Sequence, residues 1–145
     1  MSRPSDFPQT FTVAQANALL AKIIPLIEQL QSLQRSILQT NLELNEATGK
    51  IAEGNGYPLQ SIKKTIKRLL NHQLRLIDAF HSALKQLEDI GGILKDLHMG
   101  LVDFYGMRKG ELVFLCWKLG EDRIRFWHSL DTGYAGRQPL DVEFF

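Results

Sequence analysis

From position 19 the apolar residues recur at alternating steps of four and three. The series is Leu19, Ile23, Leu26, Leu30, Leu33 and Ile37, then, past Thr40, Leu44. That spacing is a heptad seam and predicts a long helix. Thr12 is placed to cap it, and Gln15 three residues on completes a capping box. Phe11, just before the cap, faces Ala16 as a weak hydrophobic staple. Pro25 removes one backbone hydrogen bond inside the seam, which predicts a kink near residues 21–25. Gly49, Gly54, Gly56 and Pro58 mark residues 49–58 as a hairpin tip. A second seam follows through Ile62, Ile66, Leu69, Gln73, Leu76, Phe80, Ala83, Leu87 and Ile90. It predicts a helix from about Leu59 to Ile90, ended by Gly91-Gly92 as a C-cap. Two such helices make an antiparallel, coiled-coil-like hairpin, each arm roughly 50 Å long.

Further apolar residues lie off the seams: Leu20, Ile27, Leu38 and Leu42 on the first helix, Leu70, Leu74, Ile77 and Leu84 on the second. Two helices cannot bury both stripes, so something else must cover the second. After residue 90 the period changes from helical to alternating. Leu101–Tyr105, Glu111–Trp117 and Arg123–His128 read as strands, with turns at Gly106–Gly110 and Lys118–Asp122. Ile93–Leu97 reads as a fourth strand that turns through His98-Met99-Gly100, and Asp131–Phe145 as a loop. The expected fold class is α+β: a long helical hairpin, then a small antiparallel β-meander. The chain reads as a single domain over 1–145, with the hairpin at 11–90, the sheet at 91–131 and a tail at 132–145. Because the sheet is too short to cover a 50 Å stripe, self-association as a homodimer is expected.

Composition sharpens that division. Nine of the thirteen aromatic residues and eight of the eleven glycines fall after residue 90, which favours strands and turns there. A net charge of +1 gives no global field toward nucleic acid or membrane. The single cysteine, Cys116, excludes an intramolecular disulfide and a Cys-rich zinc site. Mid-strand among Phe114, Leu115 and Trp117, it reads as a buried inert thiol. Met1–Thr10 lacks the apolar stretch of a signal peptide, and no apolar run is long enough to span a bilayer, so the cytoplasm is the expected compartment.

Two blocks carry a resemblance. The first is Phe11-Thr12-x-x-x-Ala16-Asn17-x-Leu19-Leu20. The second comprises Lys95-Asp96, Gly100-Leu101-Val102-Asp103-Phe104, Leu115-Cys116-Trp117-x-Leu119-Gly120-Glu121 and Phe126-Trp127-His128-x-x-Asp131-x-Gly133-x-x-Gly136-Arg137. Over nearly its whole length the chain resembles an uncharacterised bacterial family, catalogued as domain of unknown function 2203. The resemblance implies no activity; it marks the second block as the part that matters.

That block can be read on its own chemistry. A tight hairpin through residues 119–122 would pair Trp117 with Ile124, Leu115 with Phe126 and Val113 with His128. Pairing Tyr105 with Glu111 would set Asp103 opposite Val113. Asp103 and His128 would then share a sheet face two strands apart, with Cα atoms roughly 10 Å from each other. His128, Asp131 and Asp103, supported by Asp96, His98 or Glu121, could hold a divalent metal, or an Asp–His pair could serve as a general base. The blander reading, an Asp–His hydrogen bond that orders the loop, is preferred, because one histidine among scattered acids is a weak metal signature. Arg137, after Gly133 and Gly136, offers a bidentate fork to an anion or a salt bridge to Glu121, Asp131 or Asp103. In this register Trp117 and Trp127 have opposite parity, so one of them would face away from the helices as a partner contact or be covered by the tail.

On the second helix Lys63, Lys64, Lys67, Arg68 and Arg75 have no acid among them. This reads as a solvated face, paired with Glu28, Glu43 and Glu46, rather than a nucleic-acid surface. Gln73, at a seam position, reads as a register-fixing polar residue. No HExxH, CxxC or GxSxG pattern is present, and no phosphate-binding glycine motif. The leading expectation is therefore a non-enzymatic binding or regulatory module, which self-associates through its helices and uses the sheet for a small-molecule or protein ligand. No cofactor is expected. A metal-dependent hydrolase built on Asp103, His128 and Asp131 is the first alternative, and weak nucleic-acid binding through the second helix the other.

Overall fold

The computed structural model describes residues 8–54, 56 and 58–145. Residues 1–7 of the expected leaderless N-terminus, and Asn55 and Tyr57 of the expected hairpin tip, lie outside the described residues. Two long helices packed together, α1 (Val13–Glu53) and α2 (Leu59–Ile90), precede a five-stranded antiparallel sheet. Its strands are β1 (Ile93–Asp96), β2 (Leu101–Arg108), β3 (Glu111–Lys118), β4 (Phe126–Ser129) and β5 (Gln138–Pro139), paired in chain order. The fold is α+β. Its contacts form two compact units. One combines the described residues up to Ile27 with Gln86–Phe145, and the other is Glu28–Lys85. No helix among the described residues is long and apolar enough to cross a membrane.

The start of α1 is the capping box that the spacing predicts. Gln15 N–H donates to Thr12 Oγ1 at 3.1 Å, and Thr12 N–H donates to Gln15 Oε1 at 3.0 Å. Phe11, the expected staple residue, is tied to the sheet. Its N–H donates to the Tyr105 carbonyl, and its ring stands edge-on to Phe104 at 5.8 Å. The helix runs unbroken through Pro25 and on past Gly49, because one helical glycine costs only about 1 kcal/mol relative to alanine. The tip is therefore shorter than residues 49–58. Gly91 and Gly92 close α2 as a Schellman-type cap, with Gly92 N–H donating to the Leu87 carbonyl and Gly91 at φ 115°.

In the sheet unit, Ile23, Leu87 and Val102 converge on the space above Gly92, so helix side chains lie directly on one sheet face. Val102, Phe104, Leu115 and Trp117 are buried on that face, with Leu20, Ile23, Ile27 and Leu87 buried on the helices. In the helical unit the core is thinner: Leu30, Thr40, Ala47, Ile62, Leu69 and Ala83 are buried. Gln73, the expected register residue, donates across the hairpin to Asn41 Oδ1.

The sheet register departs from expectation in both hairpins. Between β2 and β3 the turn is only Lys109-Gly110, whose φ values of 51° and 77° suit a two-residue primed turn. Gly106 is strand rather than turn, lying under Leu115, whose Cγ would be 3.0 Å from an added Cβ. Tyr105 therefore pairs with Phe114 instead of Glu111, and Asp103 with Cys116 instead of Val113.

Between β3 and β4 the connection is longer than the four-residue turn expected, and β4 starts at Phe126, not Arg123. Glu121 holds the turn, its carboxylate accepting from Lys118 N–H at 2.7 Å and its carbonyl from Trp117 Nε1 at 3.0 Å. Ile124 is buried, and its N–H donates to Asn17 Oδ1 of α1 at 2.7 Å. Trp117 thus loses Ile124 as its partner, Phe126 pairs with Cys116, and His128 with Phe114. The expected tail also adds to the sheet: Pro139 pairs with Phe126 and Gln138 with Trp127.

Candidate functional site

The strongest polar feature lies on the sheet face opposite Val102, Phe104, Leu115 and Trp117. Asp103 on β2 stands across from Cys116 on β3, and Cys116 across from Phe126 on β4. Two residues further on, β4 presents His128 on the same face, because strand side chains alternate with period two. The Asp103–His128 association survives because the two register differences, three residues and one residue, each flip parity and together cancel. Only one of them separates Trp117 from Trp127, so the expected opposite parity is corrected. Both tryptophans are on the same face as Leu115, and both are buried within the chain.

His128 Nε2 lies 2.8 Å from Asp103 Oδ2, and its Nδ1 lies 2.8 Å from the Ser129 carbonyl oxygen. A carbonyl can only accept, so Nδ1 carries a proton. A proton is then needed between Nε2 and Oδ2 as well, on either the ring or the carboxyl, since two lone pairs at that distance would repel. The pair as a whole is neutral, as burial demands. Burial is the main force raising the Asp103 carboxyl above its ordinary range, against the opposing pull of His128. Among the described residues, Asp103 Oδ1 is buried with no hydrogen-bond partner.

Cys116 completes the group. One ligand atom each from Asp103, Cys116 and His128 lies within 4.8 Å of the other two. Their exposures are 1%, 0% and 2%. Burial, reinforced by the Asp103 charge, pushes the thiol up to about 12, while the Arg137 guanidinium pulls it the other way. Both ring nitrogens of His128 are engaged elsewhere, the Asp103 carboxyl beside the thiol holds its proton on rather than drawing it off, and the cluster is shut from water. That is not an activated nucleophile.

Arg137 places its guanidinium over Phe126 at 4.0 Å and near Tyr134 at 4.6 Å, and donates to Glu121 Oε1 at 3.1 Å. Burial works against its charge, but Glu121 holds the guanidinium above its ordinary value. Of the two readings of Arg137, the geometry has the salt bridge, and Glu121 is the partner.

The remaining candidates lie apart from this cluster. Asp131 is exposed in the loop after β4 and is not part of the Asp103–Cys116–His128 group. Asp96 Oδ1 accepts from Met99 N–H at 2.9 Å and so shapes the β1–β2 turn, and His98 is exposed. Lys63, Lys64, Lys67, Arg68 and Arg75 are exposed, and among the described residues none is ion-paired with Glu28, Glu43 or Glu46. The residue that sequence reasoning missed is Cys116. The dipeptide Lys109-Gly110 was the available signal, since a two-residue turn there sets Cys116 opposite Asp103.

These features define an α+β protein with a helical hairpin, a five-stranded meander and a buried Asp–Cys–His cluster on the sheet. The chain belongs to the DUF2203 family of uncharacterized conserved proteins, whose model matches residues 9–140. No curated protein and no solved structure matches the chain.

Proposed function

We propose that the protein is a non-enzymatic binding module that pairs with a second copy of itself through the Glu28–Lys85 helices in coiled-coil fashion. One observation carries this reading. Leu38, Leu42, Leu70 and Leu74 are 57%, 64%, 47% and 61% exposed, which is costly for four large apolar side chains spaced four apart on two neighbouring helices. A groove of about 280 Å³ lies among Ile37, Leu38, Ile77 and Phe80. Charge favours a second copy as the occupant. Between Leu59 and Ile77 α2 carries only bases, while α1 from Glu28 to Glu53 carries four glutamates against Arg35 and Lys50, so an antiparallel partner brings unlike charges together.

On the sheet unit, the same reading gives the ligand role to a groove of about 550 Å³ lined by Asn17, Arg123, Arg125, Phe126, Leu140 and Phe145. Arg123 over an apolar floor, with Arg125 beside it in its pair with Asp122, suits a small anionic ligand with an apolar body. The hydrolase alternative has less support, because Asp131 stands outside the buried cluster. A cytoplasmic address accords with the free thiol of Cys116, and a bacterial source rests on the family resemblance alone.

Light scattering on a sizing column tests self-association. A dimer at micromolar concentration is expected, and Leu42→Lys with Leu74→Lys should convert it to a monomer that keeps its helical circular dichroism. A wild-type monomer would sink the reading.

A further inference from the structure

We propose that Asp103, Cys116 and His128 form a binding site for one thiolate-accepting divalent metal ion of the zinc class. Four observations carry this assignment, and none depends on the self-association reading.

The first is the donor set. One carboxylate oxygen, one sulfur and one imidazole nitrogen lie within 4.8 Å of one another on three adjacent strands. Sulfur with imidazole selects zinc-like ions over magnesium or calcium, which prefer oxygen. The second is the orientation of His128. Its Nδ1–H donates to the Ser129 carbonyl, which fixes the ring and aims Nε2 into the cluster. Metal-bound histidines are held by just such an outer hydrogen bond. The third is Asp103 Oδ1, buried and without a hydrogen-bond partner among the described residues. A buried acceptor left unpaired is costly, and a cation beside the carboxylate removes that cost.

The fourth is charge. An Asp carboxylate and a Cys thiolate sum to two negative charges, which a divalent ion cancels, so the filled site stays neutral where water is excluded. On binding, Cys116 releases its thiol proton and the Asp103–His128 pair releases the one it shares. Tetrahedral bonds of about 2.0–2.3 Å set ligand atoms roughly 3.3–3.6 Å apart. Nε2 and Oδ2, now 2.8 Å apart, would have to separate by about half an ångström, a shift that falls to the Asp103 carboxylate because the ring is held by Ser129. The chain provides the donors: Cys116 Sγ, His128 Nε2 and the Asp103 carboxylate, whose otherwise unpartnered Oδ1 can take the fourth position. Because the site is closed, the ion's role is to tie β2, β3 and β4 together rather than to activate a substrate.

The test is spectroscopic. The chelator-stripped, folded protein is titrated with Co²⁺, then Zn²⁺. One equivalent of Co²⁺ should bind with tetrahedral visible bands and a sulfur-to-cobalt charge-transfer band, and Zn²⁺ should displace it. Cys116 is the only cysteine, so the wild-type charge-transfer band alone reports its ligation, whether or not a variant folds. Cys116→Ser should lose the band and bind Co²⁺ at least about tenfold more weakly, the lower bound for losses even outside the ligand shell. Asp131→Asn should bind like wild type. Failure of the folded protein to take up Co²⁺, uptake without the charge-transfer band, or loss of binding in Asp131→Asn would overturn the assignment.

Discussion

The same leucine-rich pattern has two outcomes in this molecule. In the sheet unit, off-seam Leu20 and Ile27 are buried, as is the sheet face they join. In the helical unit, the equivalent off-seam Leu38, Leu42, Leu70 and Leu74 stand exposed. Heptad spacing determines which residues share a stripe, but whether that stripe meets a partner depends on what the rest of the chain supplies. Five strands bring aromatic side chains to the first unit, and the second has only its two helices. One unit therefore gains stability from its own core, and the other offers a surface.

The sharpest way to break the comparison is to remove a large side chain from each unit. Trp117→Ala empties a fully buried site and should cost about 3–5 kcal/mol, measured by urea denaturation. Leu38→Ala removes an exposed side chain and should change the monomer's stability by no more than about 0.5 kcal/mol. Equal losses at the two positions would mean the units do not differ as described.

The buried polar pair gives the next effect. In metal-free protein, His128→Phe leaves Asp103 buried without its imidazole partner and should cost about 3 kcal/mol. Adding Asp103→Leu removes the stranded carboxyl and should restore most of that loss, because a buried ion pair replaced by apolar groups is often close to neutral. A double-mutant cycle checks it. Additive losses would show that the two residues do not act as a unit.

How far each unit was legible in the sequence follows the same division. Helical periodicity is redundant: many seam residues repeat one message, so α1 and α2 were readable nearly to their ends, Gly49 apart. Strand register has no such redundancy, since a single misplaced residue turns every side chain over. Treating Gly106 as turn, and missing the long Glu121-bound connection before β4, produced two parity errors. Asp103 and His128 came out together because those errors cancelled. Cys116 and the tryptophan pair did not, because each depends on only one of the two hairpins. The bridge from Arg137 to Glu121 was one of three pairings the sequence allowed, and only the folded tail selects it.

On the helical unit, the comparison sharpens to the leucine face itself. Leu42→Lys with Leu74→Lys should leave the monomer's intrinsic stability within about 0.5 kcal/mol, since both positions are exposed. It should also abolish any dependence of the melting temperature on protein concentration. A melting temperature that still rises with concentration in the variant would place the self-association surface elsewhere.

The smallest effect concerns the tail of the sheet unit. Asp141 accepts from Arg108 Nε and Nη2, the latter at 2.6 Å, and this hydrogen bonding holds its carboxyl below the ordinary carboxylate range. A carboxyl whose folded value is lower than its unfolded value contributes stability above the unfolded value, about 4, and loses it as pH falls through the folded one. The pair is solvent-accessible, so the gain is slight and weaker in salt. Its readout is specific all the same. Arg108 lies 4.7 Å over the Trp127 ring and Phe144 is 5.8 Å from it, so releasing the tail should change Trp127 fluorescence while far-ultraviolet circular dichroism holds. Asp141→Asn should show at pH 7 the fluorescence that wild type reaches only in acid, and should lack the acid transition. Asp122→Asn, which breaks the local pair with Arg125, should keep that transition. An unchanged acid transition in Asp141→Asn would mean that another carboxyl holds the tail.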